Sequence, residues 1–257
     1  MCLISILQDS CTNNRMAKQR LQKVLASAGI GSRRRCEELI LEGAVQVNRQ
    51  VVDKLPAFVD PETDTIMVGG RRIEPERKVY FLLNKPKGVI CTSSDPLRRN
   101  KATDFVPVRE RIFCVGRLDA DTTGLVILTN DNELANRPTH PRYKVPEAYI
   151  ARVTGRIAPE QVEKLKSGVW LAEGKTSRAS VKIIRRSRAE SWVEITIQQG
   201  MNRQIRRMLA KVGLPAKALA RVRIGNLTAR GLGLGRFRPL TKAEVAHLNK
   251  IGRSTEV

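Results

Sequence analysis

The sequence is poor in aromatics, histidine and acid. Aromatic residues make up 4% of its 257 residues, histidine occurs twice (His140 and His247), and 25 acidic residues face 47 basic ones. Its five cysteines (Cys2, Cys11, Cys36, Cys91, Cys114) are scattered and contain no Cys-x-x-Cys. That pattern excludes a zinc ribbon and a disulfide scaffold and predicts reduced thiols and no metal. Nothing in it points to a Cys–His nucleophile pair. Long apolar runs are also missing: the longest, such as Leu125–Leu128, are strand-sized, far short of the ~20 residues that span a bilayer. Met1–Leu7 is apolar but lacks the basic start and small-residue cleavage site of a signal peptide. Glu173-Gly174-Lys175-Thr176 imitates a phosphate-binding loop, yet Val169 stands where its first glycine must be. Gly231, Gly233 and Gly235 have the wrong spacing for a dinucleotide turn. No cofactor is predicted.

What the sequence does have is positive charge, +22 in net. A surface that repels itself this strongly is normally tolerated because it meets a polyanion, nucleic acid first and an anionic membrane second. The hydrophobic fraction of 41% and charged fraction of 28% are those of a globular chain. Its length suggests one large domain or two unequal ones.

Residues 1–15 show no periodicity, and Met16 is the expected start, with the preceding stretch a disordered or non-native extension. Leu21, Val24, Leu25 and Ala28 recur at helical spacing up to Gly29. Ser32 is a good cap for a second helix ending at Gly43. Short strands at Val45–Val47, Val51-Val52 and Ile66–Val68 complete a small unit over 16–76. Arg15 to Arg35 holds seven basic residues and no acid. Basic runs are usually solvated surface. Arg33, Arg34 and Arg35, however, sit in the first turn of a helix, where the macrodipole disfavours cations. That placement favours a phosphate site shared by guanidinium and free N–H groups.

From 77 to 250 strands and helices mix without a βαβ rhythm, which predicts an α+β domain on a large, mainly antiparallel sheet with flanking helices, followed by a tail at 251–257. Expected strands include Tyr80–Leu83, Val89-Ile90, Phe113–Leu118, Leu125–Thr129, Ala148–Val153 and Trp192–Ile197. Helices are expected at Glu133–Arg137, Pro159–Leu165 and Ile205–Val212.

Two segments carry candidate chemistry. In Gly116-Arg117-Leu118-Asp119, continued by Ala120-Asp121-Thr122-Thr123-Gly124-Leu125, a carboxylate follows an apolar strand with a cation two residues before it. Alternation puts Arg117 and Asp119 on one face and Leu118 in the core. A plain β-turn is the competing explanation, and on composition alone it is the better one. Gly200-Met201-Asn202-Arg203-Gln204-Ile205-Arg206-Arg207-Met208 opens a basic amphipathic helix. Arg206 borders its apolar face and needs an anionic partner, for which Asp119 is the candidate; Arg203 and Arg207 are expected to look outward. No acid occurs between Glu194 and Glu244, while eleven basic residues do, a strip expected to line the functional cleft.

These pieces, with Leu83-Asn84-Lys85-Pro86-Lys87-Gly88-Val89 and Leu128-Thr129-Asn130-Asp131, resemble the small-subunit-type (RsuA/RluB-like) rRNA pseudouridine synthases. Arg20 through Arg34 and Gly43-Ala44-Val45-Gln46-Val47-Asn48 resemble their N-terminal S4 RNA-binding domain. The match runs from Met16 to about Lys250. The resemblance implies a small S4 domain, then a synthase domain that isomerises uridine in ribosomal RNA without a cofactor by detaching uracil from ribose C1′, turning it and rejoining it through C5. It implies that Asp119 is the catalytic carboxylate, as nucleophile on C1′ or as base at the 2′ position. Tyr149 would pack on the flipped base and help move the C5 proton, with Tyr143 a weaker candidate. Arg206 would pair with Asp119, and Arg117 would help pry the uridine from its stack. Lys85, Arg33, Arg34, Arg203 and Arg207 are expected to bind RNA. The large-subunit RNA is the favoured substrate of a cytoplasmic monomer that does not engage membranes. One departure stands out: the family often has a Lys-x-Tyr-like pattern, and here Pro146-Glu147-Ala148 precede Tyr149. A non-catalytic RNA-binding or ribosome-assembly protein is the alternative reading, and a membrane-surface or DNA-binding module is third.

Overall fold

The computed structural model describes residues 18–251. The expectations for residues 1–15, for a start at Met16 and for a tail beyond Ile251 lie outside them. The chain divides into two compact units, one ending at Glu76 and the other beginning at Arg77.

In the first unit β1 (Gln19–Arg20) leads into α1 (Leu21–Ser27) and α2 (Arg33–Leu41). Strands β2 (Val45–Val47), β3 (Gln50–Val52), β4 (Phe58–Val59), β5 (Ile66–Val68) and β6 (Arg71–Arg72) follow. Ser32 caps α2, its hydroxyl accepting from the Arg35 N–H at 3.1 Å. Asn48 and Arg49 both take positive φ (51° and 68°), the two-residue hairpin geometry whose twist matches that of its flanking strands. The sheet runs β3-β2-β5-β6, and β4 pairs separately with β1. Leu21, Leu25, Cys36, Ile40 and Val45 are fully buried between helices and sheet. Each such aliphatic contributes about 1.5–3 kcal/mol by leaving water.

The second unit is built on a nine-stranded sheet. Its elements are β7 (Tyr80–Lys85), β8 (Phe113–Val115), β9 (Thr123–Thr129), α3 (Asn132–Thr139), β10 (Glu147–Thr154) and α4 (Pro159–Ser167). A small hairpin, β11 (Trp170–Leu171) and β12 (Gly174–Lys175), stands apart from the sheet. Then come β13 (Ser180–Arg186), β14 (Glu190–Ile197), α5 (Gln204–Lys211), β15 (Ala216–Ile224), β16 (Leu227–Thr228), β17 (Phe237–Pro239) and α6 (Lys242–Lys250). The main path is β13-β14-β10-β15-β9-β7-β17, with β16 beside β15 and β8 beside β9. Every pairing is antiparallel except β9 with β15. The architecture is the expected α+β one with a mainly antiparallel sheet.

Hydrophobic patterning explains the layering. In β14 buried and half-buried residues alternate along the whole strand, the mark of a sheet with one covered face. In β9, Leu125, Val126, Ile127 and Leu128 are all buried, so this strand is covered on both sides. Val126 and Leu128 join the core under α4 and α5, while Leu125 and Ile127 join that of α3 and α6. The apolar run that looked merely strand-sized is therefore the strand between two cores.

Two expected strands are shorter or absent. Phe113–Leu118 stops at Val115, because Gly116 turns the chain at φ 73°. Val89-Ile90 forms only an isolated bridge from Ile90 to Lys101. For α3 the cap is Asp131, whose carboxylate accepts from the Glu133 and Leu134 N–H groups.

Candidate active site

The parallel pairing of β9 with β15 is the seam from which the site grows. Its register sets Gly124 opposite Arg221, and the neighbouring pairing sets Tyr149 opposite Arg221. The chain reaches this seam through a tight turn in which Thr122 N–H donates to Asp119 O at 3.1 Å. Leu118 is buried as expected, and its N–H donates to the Cys91 thiol at 3.5 Å. The turn therefore exists, but its carboxylates do not simply bond their own backbone: both reach arginines of the α5 region.

Arg203 bridges them. Its guanidinium lies 3.1 Å from Asp119 Oδ2 and 3.2 Å from Asp121 Oδ2. It is also the residue before α5, held at φ 48° in the left-handed region. A non-glycine residue there costs on the order of 1–2 kcal/mol, which the two ion pairs help offset. Arg206 corrects the sequence-based expectation. It pairs with Asp121, not Asp119: its Nη2 lies 3.3 Å from Asp121 Oδ2 and donates to Asp121 O at 2.9 Å and Thr122 Oγ1 at 3.3 Å. It also donates to Ala216 O. Arg206 thus ties the turn to α5 and β15, and Arg203, expected to look outward, takes the partnership with Asp119. For Asp121 burial pushes the carboxyl up, but Arg203 and Arg206 outweigh that and hold it below the usual range.

Asp119, Arg117, Tyr149 and Arg203 line one cleft of about 650 Å³, together with Glu147 and Arg221. That is the size of a small-molecule or nucleotide site. Exposed Arg117, Lys144 and Arg203 line the same cleft as its two carboxylates, as does Arg99, which is paired with Asp95. Tyr149 is 8% exposed, and its hydroxyl donates to Glu147 Oε2 at 2.6 Å. Burial pushes this phenol well above its ordinary range. Arg221, 3% exposed, donates to Glu147 Oε1 at 2.9 Å and to Leu125 O at 2.8 Å. Burial works against its charge, yet Glu147 more than compensates and pushes it up. Tyr143 lies in a short 3-10 turn beside His140 and is not part of the cleft lining.

Other expectations need correction. Lys85 is fully buried and donates to the carbonyls of Val89 and Pro86, at 2.7 Å and 3.1 Å, so it braces a turn and presents no charge to RNA. Arg207 points outward as expected but is paired with Glu173. The acid-free strip does not line the cleft as one surface. Arg203 and Arg221 do; Arg206 ties Asp121, and Arg238 sits on β17 paired with Glu244. Glu147 and Arg221 were missed because neither stands in a recognisable motif. The absence of the expected Lys-x-Tyr-like pattern was the available signal.

In the first unit Arg33 and Arg34 are exposed in the opening turn of α2, while Arg35 is paired with Glu38 and Glu42. Among the described residues no ion pair joins Arg33 or Arg34 to a carboxylate. Among the described residues no group of three His, Cys, Asp or Glu could hold a metal ion, and no helix is long and apolar enough to cross a membrane.

Comparison with known proteins gives consistent results. Residues 79–211 match the family model described as RNA pseudouridylate synthase, and residues 19–64 match that of the S4 domain. A Bacillus subtilis protein named ribosomal large subunit pseudouridine synthase B is 44% identical over 91% of this chain and 96% of its own length. An uncharacterized RNA pseudouridine synthase of Aquifex aeolicus is 40% identical over 91% of this chain and 95% of its own. A crystal structure of a pseudouridylate synthase aligns with TM-score 0.66 at 28% identity, covering 89% of this chain and 99% of that one.

Proposed function

The chain belongs to the RNA pseudouridylate synthase family and carries an S4 domain; from there we propose that it isomerises one uridine, or a few neighbouring ones, in large-subunit ribosomal RNA. The observation that carries this reading is the cleft in which Asp119, held by Arg203, faces the same space as Tyr149. The Bacillus subtilis relative's name supports the large-subunit RNA as the substrate.

The chemistry follows from the groups present. Isomerisation is redox-neutral, so the residues alone can carry it without a cofactor. Asp119 acts at the ribose, either bonding to C1′ as uracil leaves or removing the 2′ proton. The guanidinium of Arg203, 3.1 Å from Asp119 Oδ2, orients it. The target base has to leave its stack, at a cost of a few kcal/mol, which backbone contacts and stacking in the pocket supply. With so few aromatics on the chain, Tyr149 is the stacking platform. Arg117, exposed and lining the cleft, helps pry the uridine from its stack. We expect the protein to act as a cytoplasmic monomer.

The test is a pseudouridine map of ribosomal RNA from cells that lack this protein. One large-subunit site, or a few adjacent ones, should lose modification and regain it on complementation. An unchanged map would sink the enzymatic reading and favour an assembly role. The S4 contribution has its own test. Replacing Arg33 and Arg34 with Ala should weaken RNA binding and flatten the plot of log affinity against log salt by about 2, one phosphate contact per arginine. Circular dichroism should be unaltered. An unchanged slope would return both side chains to ordinary surface charge.

A further inference from the structure

The tyrosine of the cleft has a carboxylate behind it. Glu147 and Tyr149 stand two residues apart on β10, and the phenol donates to Glu147 Oε2 at 2.6 Å. The other carboxylate oxygen is taken by Arg221 Nη1 at 2.9 Å. Arg221 is itself immobilised, with its Nε on the carbonyl of Leu125 in β9. Glu147 is thus held in one orientation between a buried guanidinium and a phenol. A lysine ammonium at this place would have no lone pair to accept a proton from the tyrosine; a carboxylate has. Burial keeps the Tyr149 phenol protonated at neutral pH. A protonated phenol can take a proton only by handing on its own.

We infer that Glu147 is a positioning residue and the proton acceptor behind Tyr149. The inference rests on the reading that Tyr149 handles the C5 proton. After uracil has rejoined ribose through C5, the C5–H bond breaks and its proton passes to the Tyr149 oxygen. The phenolic proton moves in the same step to Glu147 Oε2. The C–H electron pair forms the C5–C6 double bond, and the former N1–C6 π pair moves onto N1. N1 then takes up a proton, and Glu147, a quarter exposed, releases one to solvent. The net change is one proton from C5 to N1.

Full-length Glu147→Gln and Glu147→Asp can be compared with the wild type on RNA carrying uridine with hydrogen or deuterium at C5. Glu147→Gln should lose on the order of 10²-fold in kcat with KM unchanged. It should also show a primary deuterium isotope effect that the wild type lacks, because C5 deprotonation has become rate-limiting. Glu147→Asp keeps the charge opposite Arg221 but withdraws it from the phenol by one methylene, so it should fold and show the same isotope effect at intermediate kcat. Wild-type kcat in Glu147→Gln overturns the inference. So does a fall in kcat without an isotope effect in either variant, since a lowered melting temperature alone explains that outcome. A wild-type enzyme that makes no pseudouridine in any ribosomal RNA fails the proposed function itself, which separates the two failures.

Discussion

Asp119→Asn should abolish turnover, lowering kcat by on the order of 10⁴–10⁶-fold, the scale seen when the reacting group of an enzyme is removed. The replacement is close to isosteric. An amide can still accept a hydrogen bond from Arg203, which lies 3.1 Å from Asp119 Oδ2, so the turn should hold its shape. What is lost is the charge and basicity that either attack on C1′ or removal of the 2′ proton requires. RNA affinity should not weaken, because a negative charge has left a cleft that meets phosphates. Release of label from C5-tritiated RNA, with binding measured in parallel, reads both effects. Activity within tenfold of the wild type would show that Asp119 is only a turn residue.

Gly124→Ala should be as damaging by another route. Gly124 stands at φ 108°, and a Cβ placed on it would lie 2.2 Å from Arg221 O and 2.6 Å from Arg221 N. Both atoms are backbone of the facing strand at the seam, so no side-chain rotation relieves the clash. Either β9 or β15 must shift, and that pairing joins the two parts of the sheet, carries Arg221 and follows directly on the turn that holds Asp119. A cost above about 4 kcal/mol is expected, a large share of the roughly 5–15 kcal/mol that keeps a typical domain folded. Urea unfolding and near-ultraviolet circular dichroism would report it. Gly233→Ala is the control: its Cβ would meet only the Arg236 side chain at 3.6 Å, and the cost should stay within about 0.5 kcal/mol. Near-native stability of Gly124→Ala would mean that the seam is softer than its geometry implies.

Much of this protein was legible along the chain because the signals are local. Ser32 capping α2 and the strand at β14 each depend on residues within one turn or strand. The motif around Asp119 was legible as well, since it runs through a single turn. Lys85 is expected at the RNA because it stands in a family motif, and a motif does not tell which of its cations is enclosed. Only the packing shows its ammonium enclosed by the carbonyls of Val89 and Pro86. Arg203 and Arg206 were exchanged for a similar reason. Helical periodicity gives the direction of a side chain but not its reach, and Arg203 leaves the helical frame at φ 48° before α5 begins.

By itself the sequence determined a basic, two-part α+β chain and a helix start crowded with arginines, for which composition and periodicity are enough; it singled out Asp119 only through its resemblance to a family motif. The tertiary structure alone decided which arginine holds which aspartate, and that Glu147 and Arg221 stand behind Tyr149. The arginine–carboxylate contacts among these join residues 74 to 85 positions apart. They depend on one parallel pairing between β9 and β15, whose register no local pattern encodes and which a single glycine, Gly124, allows to close.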